Sequence, residues 1–385
     1  MKTIVVTPDE MAKRTARFAS LKPYSQQSNS SHGIPVAAIE RVSARRVYPV
    51  MAPTGYKGRS AQAPVHAGKR MVLSIPESPP GDGAGLHVHA RTTESFLCLS
   101  GRFEVSWGDK GEQSVELGPL DFISMPKGVY RAFKNVGDAT GRLLAIVECD
   151  DDQDAADPVY HARSTHERVE REFGREVVEK MATLGFDFAN EKTQVRTPTA
   201  EEMKKRMVRF ADLQPYSRQN ADKHGIPPAA MERLTAQKVY PLMAPENYVG
   251  RSAAAPVHAG DRIVLAIAEC PAGNGPGLHC HETTIENFFC LNGRFEITWG
   301  DEGENRVVLE PNDFVSVPPG VSRAFRNLSD ETARLFVAIE TEGPGSQDRV
   351  AYAPSLGDEV AQKWGKQARA KLEEIGFRFD AGVEA

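Results

Sequence analysis

Between about Arg41 and Cys149 the chain passes through short apolar stretches, "RMVLSI", "ESFLCL", "RFEVSW", "DFISMP" and "RLLAIVE", each ended by Gly, Pro or a polar cluster. Runs of that length, rich in Val, Ile, Leu and Phe, predict strands, and so many in succession predict a β-sandwich or barrel. On either side the period lengthens. Pro8 to Leu21 have helical spacing, with Asp9 and Glu10 early, where acidic groups suit the positive end of a helix dipole. The charged segment "HERVEREFGREVVEKMATLG" sets Val169, Phe173, Val177 and Met181 on one helical stripe, expected to pack on the barrel or on a partner domain.

The whole pattern then runs again. "RVYPVMAP" returns as "KVYPLMAP", "GRSAQAPVHAG" as "GRSAAAPVHAG" and "GRFEVSWGDKGE" as "GRFEITWGDEGE", each about 192 positions later. One unit has been duplicated. The repeats divide the chain into residues 1–195, with a barrel at about 40–150, and residues 196–385, with a barrel at about 232–342. A comparison of the two copies shows which positions both kept while others drifted.

Composition narrows the function classes. The 385 residues are 40% hydrophobic and 26% charged, as in soluble globular proteins, and the net charge of -5 offers no basic footprint for nucleic acid. No apolar run is long enough to span a bilayer, and the four apolar residues before Thr7 are too few for a secretory signal, so a cytoplasmic protein is expected. The five cysteines, widely spaced and without a Cys-x-x-Cys pair, indicate neither a disulfide framework nor a Cys-based zinc site.

The chemistry gathers in "GLHVHARTTESFLCLSG". Alternation along a strand puts His87 and His89 on one face, and Glu94 opens the next strand after a short polar turn. Two imidazoles and a carboxylate form a facial set that binds a divalent cation and leaves positions open; they also suit a hydrogen-bonded polar patch. His279, His281 and Glu286 repeat the set in the second half.

The two stretches "GDGAGLHVHARTTESFLCLSG" and "GNGPGLHCHETTIENFFCLNG" fit the first motif of the cupin family in full, and "LDFISMPKGVYRAFKN" and "NDFVSVPPGVSRAFRN" stand where its second belongs. The sequence therefore resembles a bicupin. The resemblance implies a mainly β protein of two tandem cupin double-stranded β-helix (jelly-roll) barrels, with flanking α-helices outside the matched region. It also implies metal-dependent chemistry, with Fe(II) first and Mn, Ni or Zn as alternatives. Cupin barrels commonly pair, so the two halves are expected to form an intramolecular pseudo-dimer, with a further homo-oligomer open.

Two departures stand out. The opening glycine of the second motif is Leu120 in one half and Asn312 in the other, and the family's third metal histidine is replaced by Arg131 and Arg323. A guanidinium is always protonated and is no ordinary ligand. An inward Arg131 needs an anion, either a substrate carboxylate, which would make Arg131 and Arg323 catalytic residues, or Glu94 itself, which would close the barrel. His66 and His258, kept in both copies, suit a spare ligand or a donor behind one, but a turn or interdomain hydrogen bond is the first expectation; His32 and His224, and the pair Arg102 with Glu104, read as structural. Tyr130 against Ser322 and Lys127 against Pro319 are differences expected near the site mouths. Phe96, Phe133, Phe288 and Phe325 are expected to face inward as an apolar wall.

These residues point to a metal-dependent oxidoreductase, a non-haem Fe(II) dioxygenase acting on a small organic acid or hydroxylated aromatic. The alternatives are a small-molecule-binding or structural bicupin without turnover, and a metal-dependent isomerase or lyase on a carbohydrate acid. A small-molecule substrate is expected, with no nucleic-acid or membrane partner.

Overall fold

The computed structural model describes residues 1–149, 159–190, 193, 195–343 and 349–382, and the protein is mainly β, with four sheets. Gln194, where the repeats meet, lies outside the described residues. The chain forms two compact units, Ser20–Asp212 and a second made of Met1–Ala19 with Leu213–Ala385.

The expected division at 195/196 and the compact units therefore differ: the first 19 residues belong with the second repeat. Strand pairing supplies the reason. Thr15–Ala16 pair antiparallel with Phe314–Val315, and Met207–Val208 pair in the same way with Phe122–Ile123. Each short strand covers the edge of a seven-stranded sheet, whose amide and carbonyl groups would otherwise lack partners. The long helix expected over Pro8 to Leu21 is correspondingly cut short. A capping box of Thr7 and Glu10 starts it, but it spans only Pro8–Ala12 before the chain turns extended to reach that edge.

Within Ser20–Asp212 two sheets face each other. The seven-stranded sheet runs, in spatial order, through 207–208, 122–125, 93–100, 141–148, 71–78, 46–52 and 65–66; the six-stranded sheet through 186–188, 159–161, 87–89, 130–135, 103–107 and 113–117. Their inner faces bury Phe96, Phe103, Ile123, Phe133, Leu143 and their neighbours as one core. The second repeat builds the same two sheets at its own positions, with Phe288, Phe295, Val315, Phe325 and Leu335 in the core.

Each unit is closed by a helical tail. The stripe expected as one helix is two, Arg163–Phe173 and Arg175–Ala182, separated by Gly174 at φ 88°. Val169 and Met181 are fully buried in the core of their own unit, and Phe173 and Val177 pack against it. Among the described residues no helix is long and apolar enough to cross a membrane.

Candidate metal centre

The His-x-His strand is short, His87–His89, and lies in the six-stranded sheet between Tyr130–Asn135 and Val159–His161. The loop before it runs close against the neighbouring strand. A side chain on Gly83 would put a Cβ 1.9 Å from the Phe133 carbonyl oxygen, so only glycine lets the loop lie this close to the neighbouring strand. Glu94 enters from the other sheet, at the start of Thr93–Ser100. The turn between them thus brings ligands from both layers together at the barrel's interior.

Both imidazoles are oriented by hydrogen bonds at Nδ1. His87 Nδ1 donates to the Gly85 carbonyl oxygen at 2.7 Å, and His89 Nδ1 is 3.1 Å from Thr92 Oγ1. With the proton on Nδ1, a neutral His87 offers the lone pair of Nε2, the form a metal takes. The two Nε2 atoms lie 3.6 and 3.3 Å from Glu94 Oε2. That oxygen is buried and accepts no hydrogen bond among the described residues. Lone pairs of a carboxylate and an imidazole face one another here, a costly arrangement that a cation would resolve. The donor set therefore fits a divalent metal.

The second barrel repeats these distances almost to the decimal. His279 Nδ1 donates to the Gly277 carbonyl at 2.9 Å, His281 Nδ1 is 3.1 Å from Thr284 Oγ1, and Glu286 Oε2 is 3.6 and 3.3 Å from the two Nε2 atoms. In each half the three ligand atoms lie within 4.8 Å of one another.

The arginines occupy the expected inward strand position, beside the glutamates. Arg131 is 0% exposed and donates from Nε and Nη2 to the carbonyls of Val129 and Pro126, with Nη1 3.5 Å from Glu94 Oε2. Arg323 is equally buried, with Nε 3.4 Å from Glu286 Oε2. Neither is among the residues that line the cavity above the three side chains, and of the two anions expected for an inward arginine the glutamate is the one each has within reach. The extended strand carries the long side chain inward beneath the carboxylate, where backbone carbonyls accept its protons.

Electrostatics follow from that packing. Burial, the largest influence on Glu94, favours its neutral form, but His89 and His87 when protonated, together with Arg131, outweigh it and hold the carboxyl well below the usual carboxylate range. Burial acts likewise on Glu286, and His281, His279 and Arg323 bring it down to about 2. Both glutamates are thus favoured in the ionised form a metal would take.

A cavity opens above each set. In the first barrel it encloses about 670 Å³ including its mouth, with His87, His89, Glu94, His161, Arg59, Tyr24 and Phe133 on its walls. In the second it encloses about 580 Å³, with His279, Glu286, Tyr352, Arg251, Tyr216 and Phe325. Phe96 and Phe288 lie behind Phe133 and Phe325 in edge-on contact at 5.4 and 5.3 Å. Tyr130, Lys127, Ser322 and Pro319 are not among the lining residues.

Sequence reading missed two lining positions. Arg59 and Arg251 are the one arginine in each cavity lining, poised over Phe186 and Phe377 at 5.1 and 5.3 Å. Both stand in the repeated "GRSA" stretch, which was signal enough to notice them. His161 and its counterpart Tyr352 carry no such signal, since the halves differ there. Burial, followed by the nearby His87, pushes the His161 imidazole well below its ordinary pKa. His66 and His258 end short edge strands, each with Nδ1 3.4 Å from a proline carbonyl. His32 and His224 end helices, and Arg102 pairs with Glu116 rather than with Glu104.

The cupin domain family matches residues 76–147 and again 266–339. Quercetin 2,3-dioxygenase of Bacillus subtilis (strain 168) is 23% identical over 271 residues, covering 67% of this chain and 70% of that protein. Among solved structures, vicilin from Corylus avellana (hazelnut) superposes with a TM-score of 0.51 at 10% identity, covering 94% of this chain and 96% of the other. A Bacillus subtilis oxalate decarboxylase studied for its Mn(II) centres gives a TM-score of 0.49 at 15% identity, covering 96% and 88%.

Proposed function

We propose that this chain, a member of the cupin superfamily with two cupin domains in tandem, is a metal-dependent oxidoreductase, a non-haem Fe(II) dioxygenase of a small organic acid or hydroxylated aromatic. The observation that carries the reading is the convergence, in both barrels, of two imidazoles and one carboxylate beside a cavity with an aromatic wall. Bound there by two imidazoles and one carboxylate, Fe(II) would supply Lewis acidity and redox chemistry, with positions left open for small molecules. The sequence kinship with quercetin 2,3-dioxygenase supports oxygen chemistry over the alternatives.

The chain's own residues divide the remaining work. Arg59 lines the cavity, and no carboxylate among the described residues pairs with it, so its planar fork is available to a substrate carboxylate or enolate oxygen. Phe133, Val47 and Val147 give an aromatic body an apolar wall that also excludes water. Arg131 holds Glu94 ionised and in place, acting on the reaction only through that ligand.

Metal content of protein purified without added metal, followed by oxygen uptake with candidate acids, tests this. About two equivalents of iron per chain and oxygen consumption are expected. Manganese, nickel or zinc with turnover but no oxygen uptake would instead favour the isomerase or lyase. A second reading, a binding or structural bicupin without turnover, draws on the Arg131–Glu94 contact of 3.5 Å, which closes the barrel from beneath. Protein without any metal affinity would select it.

A further inference from the structure

One row of side chains differs between the barrels at the metal centre. Arg131 and His161 both pair with His87 by register, one from each neighbouring strand. The corresponding row in the second barrel is Arg323, His279 and Tyr352. Directly opposed residues of antiparallel strands project to the same face, so the third member of each row points into the same interior as the ligands.

His161 stands beside His87 at the spacing of the two histidines of the His-x-His strand. Its ring centroid is 5.6 Å from that of His87, against 5.5 Å between His87 and His89. It is 2% exposed, and its Nε2 is buried with no hydrogen-bond partner among the described residues. Leaving such a nitrogen without a partner is expensive. Phe186 stacks on the ring at 5.7 Å and 18°, and Phe188 leans on it at 6.0 Å, fixing the ring without satisfying the nitrogen. Tyr352 makes the contrast. Its hydroxyl donates to the Leu234 carbonyl at 2.7 Å, and its ring stacks on His279 and Phe377.

We propose that His161 is a further metal donor of the first barrel, supplied from the strand on the far side of the His-x-His strand from Arg131, and that the second barrel lacks its equivalent. The chain then carries one tighter and one weaker site. His161 is not among the three residues whose ligand atoms lie within 4.8 Å of one another, so it adds to that set from the cavity wall and replaces none of its members.

The inference rests on the metal reading above, and the experiment separates the two. Full-length protein stripped of metal is titrated with Zn(II) against a chromophoric chelator, with circular dichroism to confirm folding. Two classes of site more than about tenfold apart in affinity are expected, because even partners behind a ligand are worth about 10–100-fold. His161→Tyr copies the second barrel's residue and should merge both into one weak class. Glu286→Ala should remove only the weak class. Two equal sites in the parent protein overturn the inference and leave the metal reading standing; no binding at either site removes both. If His161→Tyr fails to fold, the smaller His161→Gln is read instead. A folded variant of either kind that keeps the tight class overturns the inference.

Discussion

The two barrels agree to within a few tenths of an ångström in how His87, His89 and Glu94, or His279, His281 and Glu286, face one another, yet the walls above have drifted. Ser74, Ala145, Val147 and His161 in the first correspond to Ala266, Val337, Ile339 and Tyr352 in the second. Each change makes the second cavity more apolar or fuller. Ligand geometry held constant beneath a changing wall is what a common metal chemistry with divergent occupants requires. A purely structural core would give no reason to keep unsatisfied carboxylate oxygens at Glu94 and Glu286.

The sharpest way to break the comparison is to disable one barrel at a time. Glu94→Ala is expected to cost the first site more than about 100-fold in metal affinity, since it removes a ligand rather than a supporting partner. Turnover should fall in proportion, whereas Glu286→Ala should leave most of it if the roomier and more polar first cavity is where the substrate binds. Steady-state rates of the two single variants and the double variant decide this. Unchanged turnover in the double variant would end the metalloenzyme reading, and equal losses in the singles would make the barrels equivalent.

Next in size is the arginine beneath the glutamate. Arg131→Met strands a buried carboxylate, and breaking a buried pair from one side typically costs about 3–5 kcal/mol. The loss should be smaller in metal-loaded protein, where a cation compensates Glu94 from the other side. Denaturant melts with and without added Zn(II) measure the difference; an equal loss in both states would mean that Arg131 supports the fold and not the ligand.

Arg59→Met belongs to the cavity and not to the core. Stability should stay within about 0.5 kcal/mol, as for other partly exposed positions away from buried networks. The KM for an anionic substrate should rise about 10–100-fold, corresponding to the roughly 1.5–3 kcal/mol of a hydrogen bond to a charged group. An uncharged analogue should be bound unchanged. If Arg251→Met has the same effect on the same substrate, the two cavities share it.

What the sequence made legible depended on range. Alternation along a strand is enough to put His87 and His89 on one face, and the spacing to Glu94 is short enough for one turn to set it. Arg131 was legible as inward, but whether a long side chain runs under a carboxylate or out into a cavity depends on the carbonyls of Pro126 and Val129, which no pattern reveals. His161 lies outside what the two repeats share, since Tyr352 stands in its place in the second. Looking for what both copies kept discards a residue that only one has, and its strand reaches the site only through sheet pairing with His87. The N-terminal segment was misread because five residues of helical spacing look like the start of a longer helix until an open sheet edge competes for Thr15 and Ala16.

The smallest expected effect concerns the turn that opens the second cupin motif. Leu120 has φ 68° and Asn312 φ 70°, so both departures from the family's glycine sit in the left-handed region. The same hydrogen bond fixes each turn, from the residue's own amide to the carbonyl of Cys98 or Cys290 at 2.7 Å. Leucine pays about 1–2 kcal/mol for that conformation, and asparagine, whose short polar side chain tolerates it, pays less. Glycine would remove the strain but costs about 0.4–1 kcal/mol through the greater freedom of the unfolded chain. Leu120→Gly should therefore stabilise its barrel by up to about 1 kcal/mol, and Asn312→Gly should change little. Leu120→Asn should fall between them. Thermal melts of the three variants rank the barrels directly. Equal shifts for Leu120→Gly and Asn312→Gly would show that the motif's glycine answers a packing demand, and not the conformational one that φ implies.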